Sequence, residues 1–146
     1  MPRTFALAGL LRLRHLQQDQ AAGDLAQANA VAQANAARRA GARATLHQMP
    51  SAANGADMLS TIAAARASAR SMLADMEALG RNYQVAVGEA QVAFDATRAD
   101  SVRLEKLEDR HGALVAAEDL HREQTVLDEI AGAGWLRNRP ADGGPR

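Results

Sequence analysis

The sequence contains no cysteine, so neither a disulfide framework nor a thiolate metal site is open to it. Aromatic residues make up 3% of the chain, only Phe5, Tyr83, Phe94 and Trp135, and a globular core draws on many more large rings than that. β-Branched residues are scarce, which withdraws support from strands. No apolar run approaches the roughly 18 residues of a membrane span. The N-terminal FALAGLL is followed by RLRHLQQDQ where a secretion signal needs a small-residue cleavage site. These absences predict a cytoplasmic, soluble chain with no direct membrane insertion.

What the chain has in abundance is alanine, 35 of its 146 residues, accompanied by Leu, Arg, Glu and Gln. These are the strongest helix formers. Between Arg3 and Asn138 the only proline is Pro50, and QMPSAANGAD around it holds Pro50, Ser51, Asn54 and Gly55, a cluster of turn residues found nowhere else in the body of the chain. The expected fold is all-α: one domain formed by a long antiparallel two-helix coiled-coil hairpin. Helix one spans about 5–47, the turn about 48–56, helix two about 57–131 and a disordered tail 132–146, with Asn54 or Ser51 as the cap of helix two.

Steps of four and three from Leu7 pass through Leu11, Arg14, Gln18, Ala21, Leu25, Ala28, Ala32, Asn35, Arg39, Ala42, Leu46 and Met49. This is a heptad seam, thinned by its alanines. In the second helix a seam is expected through Met58, Ile62, Ala65, Ala69, Met72, Met76, Leu79, Tyr83, Ala86, Ala90 and Ala93. It resumes at Leu104, Leu107, His111 and Leu114, and a slip then carries it to Ala117, Leu120, Gln124, Leu127 and Ala131, as a stammer would. Gly80, Gly88 and Gly112 are candidate bends at roughly 1 kcal/mol each.

Formal charge sums to zero but is unevenly placed. Residues 1–50 carry six arginines against two aspartates, while residues 51–146 carry eleven basic residues against fifteen acids. Arms of opposite sign favour folding back on each other over pairing with their own copies.

The two arms differ in length, about 65 Å against about 110 Å at 1.5 Å per residue. A turn centred near residue 52 sets Leu46 opposite Met58, Leu25 opposite Leu79 and Leu11 opposite Ala93. The stretch from Ser101 to Ala131 then projects by about 45 Å with Leu104, Leu107, Leu114, Val115, Leu120, Leu127 and Ile130 uncovered. Burial of such side chains is worth roughly 1.5–3 kcal/mol each, enough to drive association with another protein.

Signs of catalysis are missing: no Walker loop, no G-x-S-x-G elbow and no H-E-x-x-H pair. His15, His47, His111 and His121 are too widely spaced for helical metal ligation, and no cofactor is expected. Arg38, Arg39 and Arg43 form a basic cluster, but without stacking aromatics it reads as a solvated stripe facing the acidic arm, and no nucleic acid is expected. Met58, Met72 and Met76 read as seam fillers.

Two segments resemble the FliJ family, small coiled-coil proteins of the bacterial flagellar export apparatus. FALAGLLRLRHLQQDQAAGDLAQA is similar to that family's opening at Phe5, Leu7, Leu11, Arg12, Leu13, Arg14, Leu25 and Ala26. LEKLEDRHGALVAAEDLHREQTVLDEIA is similar to its ending at Leu104, Leu107, Glu118, Arg122, Glu123, Gln124, Leu127, Asp128, Glu129 and Ala131. Two departures stand out: Ala and Asn replace much of the family's Lys and Glu in the first helix, and GALV occupies a turn where an aromatic is common. The resemblance implies a non-enzymatic hairpin, similar to the central stalk of rotary ATPases. It implies binding to the flagellar export ATPase hexamer, to the export gate membrane protein and to export chaperones, at the cytoplasmic face of the inner membrane. The partner-binding residues expected from the uncovered stripe and this resemblance together are Leu107, Leu114, Glu118, Leu120, Arg122, Gln124, Leu127, Asp128 and Ile130. The alternative is a coiled-coil scaffold that dimerises through the same stripe and has no link to secretion.

Overall fold

A computed structural model describes residues 4–52 and 54–137. Two helices account for nearly all of them, α1 (Ala8–Gln48) and α2 (Ala56–Arg137). At 1.5 Å per residue they are about 60 Å and about 120 Å long. No strand occurs among the described residues, as the shortage of β-branched side chains requires.

Helix ends differ in detail from the sequence pattern. α1 starts at Ala8 instead of near residue 5, its first N–H groups bonded to the Phe5 and Leu7 carbonyls at 3.1 and 2.9 Å. α2 begins after Gly55, whose φ of +148° lies where only glycine is at ease. The Gly55 carbonyl accepts the first bond of α2, from the Leu59 N–H at 3.1 Å, so Gly55 takes the place expected for Asn54 or Ser51. Asp57 stands in the first turn, where its charge favours the positive end of the helix. At the other end α2 passes the expected stop at 131 and runs through Gly132 and Gly134 to Arg137. The rest of the expected tail, 138–146, lies outside the described residues. Gly80, Gly88 and Gly112 all lie within unbroken helix.

Packing divides the chain into two units. In the larger, Leu13–Ser101, the helices run antiparallel. Their register is not the one a tight turn gives. Instead of Leu46 facing Met58 and Leu25 facing Leu79, the Arg66 guanidinium donates to the Leu46 and Met49 carbonyls at 3.3 and 3.0 Å. Asn35 reaches the Met76 carbonyl and Arg14 pairs with Asp100. The displacement is roughly eight to ten residues, or about 12–15 Å. The loop 49–55 explains it, because seven residues span up to about 23 Å when extended. α2 therefore starts beyond the end of α1, and Met58 and Leu59 lie in solvent.

The seam of α1 is close to the expected one. Every position from Leu11 to Met49 in the four-three series is buried or half-buried, and Leu7 alone is exposed. In α2 only alternate positions match. The covered positions are Ile62, Arg66, Ala69, Leu73, Met76, Gly80, Tyr83, Val87, Ala90, Phe94, Thr97, Ser101 and Leu104, so Ala65, Met72, Leu79, Ala86 and Ala93 are each one residue short of the seam. Continuing the same steps gives Glu108, which is exposed, and then His111, Val115 and Glu118, all half-buried, with no stammer.

One layer of the seam is polar. Asn35, only 4% exposed, donates from Nδ2 to the Met76 carbonyl at 3.2 Å. A Cβ at Gly80 would lie 2.9 Å from Arg39 Nη1 and 3.0 Å from Asn35 Nδ2, so glycine is what admits both side chains. The fit is incomplete, since the buried Arg39 Nε finds no hydrogen-bond partner among the described residues. Basic α1 meets acidic α2 through Arg43 and Glu77 at 2.9 Å and Arg14 and Asp100 at 3.4 Å. All four side chains are partly exposed, and such pairs are worth about 0–1 kcal/mol each.

Candidate partner-binding face

The smaller unit combines Met1–Arg12 with Val102–Arg146. Leu11 is 6% exposed, and the rings of Phe5 and His111 lie 5.8 Å apart at 50°. The overhang expected from Ser101 onward is thus too long. Ser101 is fully buried, Leu104, Val115 and Glu118 are half-buried, and unbroken exposure begins only at Leu120. From there to Ala133 every residue is exposed, although α2 continues throughout.

Two faces of this segment have different chemistry. Extending the covered seam past Glu118 by its own steps gives Arg122, Thr125 and Glu129, all polar. The apolar residues have moved around the helix. Ala113, Ala116, Leu120, Leu127 and Ile130, with Glu123 among them, share a second four-three seam. At about 100° per residue it lies roughly 150° from the first. Leu120, Leu127 and Ile130 are 66%, 65% and 62% exposed. Arg122, Glu123, Val126 and Leu127 line a shallow, open depression on the flank.

The nine residues expected to bind a partner do not form one patch. Leu120, Leu127 and Ile130 fall together on the far seam. Leu107 and Leu114, both exposed, lie two turns apart on a different arc. Glu118 and Arg122 lie on the polar continuation of the covered seam, where Arg122 Nη2 meets Glu118 Oε2 at 3.5 Å and its Nη1 meets Asp119 Oδ1 at 3.1 Å. Gln124 and Asp128 are exposed beside the far seam. Reading along the chain missed Ala113, Ala116 and Val126 on this side of the helix. The signal was the four-three spacing, interrupted to the eye by the charge of Glu123.

Magnitudes limit what this face can do alone. Covering the exposed two-thirds of three aliphatic side chains is worth about 4 kcal/mol, taking about 2 kcal/mol for each full burial. Association costs an estimated 4–15 kcal/mol. Apolar contact here sits at the low end of what binding requires, so a partner must add contacts of another kind.

No group of three or more His, Cys, Asp or Glu among the described residues is arranged to hold a metal ion. No helix among them is long and apolar enough to cross a membrane. Neither a curated protein nor a solved structure matches the chain. The family described as flagellar FliJ protein matches residues 3–140. With nearly the whole length matched, and two long helices paired as the resemblance implied, the chain belongs to the FliJ family, whose members are non-catalytic components of the flagellar export apparatus.

Proposed function

We infer that the protein binds and regulates the flagellar export ATPase ring through the far end of α2, and assists delivery of chaperones and their cargo to the export gate. One observation carries this reading: α2 remains helical from Leu120 to Ala133 while every residue there is exposed, with Leu120, Leu127 and Ile130 on one face. A helix end held clear of its own partner arm is free to enter a ring or lie against a subunit. Membership of a family of flagellar export components supports an export-apparatus partner.

The test is turnover and ring assembly of the cognate ATPase with and without the full-length protein. Turnover is expected to rise, and the double variant Leu120→Glu, Leu127→Glu is expected to lose most of that rise with an unchanged helical circular-dichroism signal. An ATPase indifferent to the intact protein in both measurements defeats the reading. Self-pairing through the far seam is the rival, and sedimentation separates the two, because a tight dimer at micromolar concentration would cover the face with a second copy.

A further inference from the structure

The far face of α2 carries a charge pattern that says what can cover it. Its seam steps through Ala116, Leu120, Glu123, Leu127 and Ile130, the spacing with which one helix meets one other helix. A carboxylate stands in the middle of it. Glu123, and Asp128 and Glu129 nearby, make no ion pair or hydrogen bond among the described residues. The only Lys or Arg between Arg110 and Arg137 is Arg122, and its guanidinium is engaged by Glu118 and Asp119.

A second copy is a poor occupant. Laying the face on itself sets an acidic strip against an acidic strip, and like charges flanking a helix seam oppose pairing. We propose that the occupant is a single amphipathic helix of another protein with basic flanks, one Lys or Arg of which lies against Glu123 between apolar contacts to Leu120 and Leu127. An arginine suits this place, since its stem covers apolar surface while its fork meets the carboxylate. From Ala116 to Ile130 the face is about 21 Å long, so the partner segment needs about four helical turns. The proposal rests on the reading of this face as the docking surface and names the chemistry of what docks.

The probe is a pair of labelled helical peptides of about 21 residues with leucine at the seam, one carrying Arg opposite Glu123 and at the flanks, the other Glu at the same places. Binding to the full-length protein is followed by fluorescence anisotropy at low and high salt. The basic peptide is expected to bind at least about tenfold more tightly, an advantage that shrinks with salt. Glu123→Lys is expected to erase or invert the preference, and Leu127→Ser to weaken the basic peptide about tenfold, as loss of an apolar anchor does. Equal binding of the two peptides, binding of neither, or binding indifferent to Leu127→Ser overturns the proposal, as does a tight self-dimer that Leu127→Ser dissolves. No ATPase enters this assay. A peptide preference without an ATPase response defeats only the export-ATPase reading, and the reverse defeats only this one.

Discussion

Residues 62–104 and 113–130 of α2 carry the same four-three spacing and put it to opposite uses. In the first stretch the spaced residues are covered, although they include Arg66, Gly80, Thr97 and Ser101. In the second they are exposed, although they include Leu120, Leu127 and Ile130. Coverage follows the face turned toward α1, and hydrophobicity alone does not decide it. In the first stretch small and polar residues are tolerated because α1 supplies matching ones, as Asn35 and Arg39 do over Gly80. In the second the apolar residues face away from the covered side, and no described residue lies over them.

Leucine-to-alanine changes in the two settings are expected to differ most. Leu11→Ala removes a side chain that is 6% exposed and is expected to cost about 2–3 kcal/mol in urea unfolding. Leu127→Ala is expected to change stability by no more than about 0.5 kcal/mol, as exposed substitutions do, while weakening partner binding. Equal losses for the two would show that the end of α2 is packed in solution. Gly80→Leu is next in size. It drives a side chain into Asn35 and Arg39, and after the gain in helix propensity of roughly 1 kcal/mol a net loss of about 1–2 kcal/mol is expected. An unchanged unfolding midpoint would mean the polar layer shifts freely. The smallest effects separate two arginines. Arg66→Ala strips the Leu46 and Met49 carbonyls of their donor and is expected to cost about 1 kcal/mol with earlier amide exchange in the last turn of α1. Arg43→Ala removes an exposed ion pair and is expected to cost less than about 0.5 kcal/mol, vanishing in high salt.

The sequence made the α1 seam readable because its four-three series is continuous from Leu11 to Met49, polar members included. It misled in α2 because at every second step a more conspicuous neighbour competes with the residue that faces α1. Leu79 outshines Gly80, and Ala65 looks more at home in a seam than Arg66, yet Gly80 and Arg66 make the contacts. Register was illegible for another reason. Pro50 and Gly55 mark a turn but not how far the chain stretches between Gln48 and Ala56, and that distance sets every pairing after it. Leu120, Leu127 and Ile130 stood out as apolar, and the family was legible from short motifs at both ends. The division of the candidate site between separate arcs of the helix was hidden by treating its leucines as one line.

Arg122, Thr125 and Glu129 give the front arm a stop signal written in side chains. Extra heptads grafted ahead of Phe5 would find nothing greasy to zip against, so lengthening that arm should leave the end of α2 open for business with other proteins. The overhang is in that sense a property of its residues, and trimming or extending the neighbour would not abolish it.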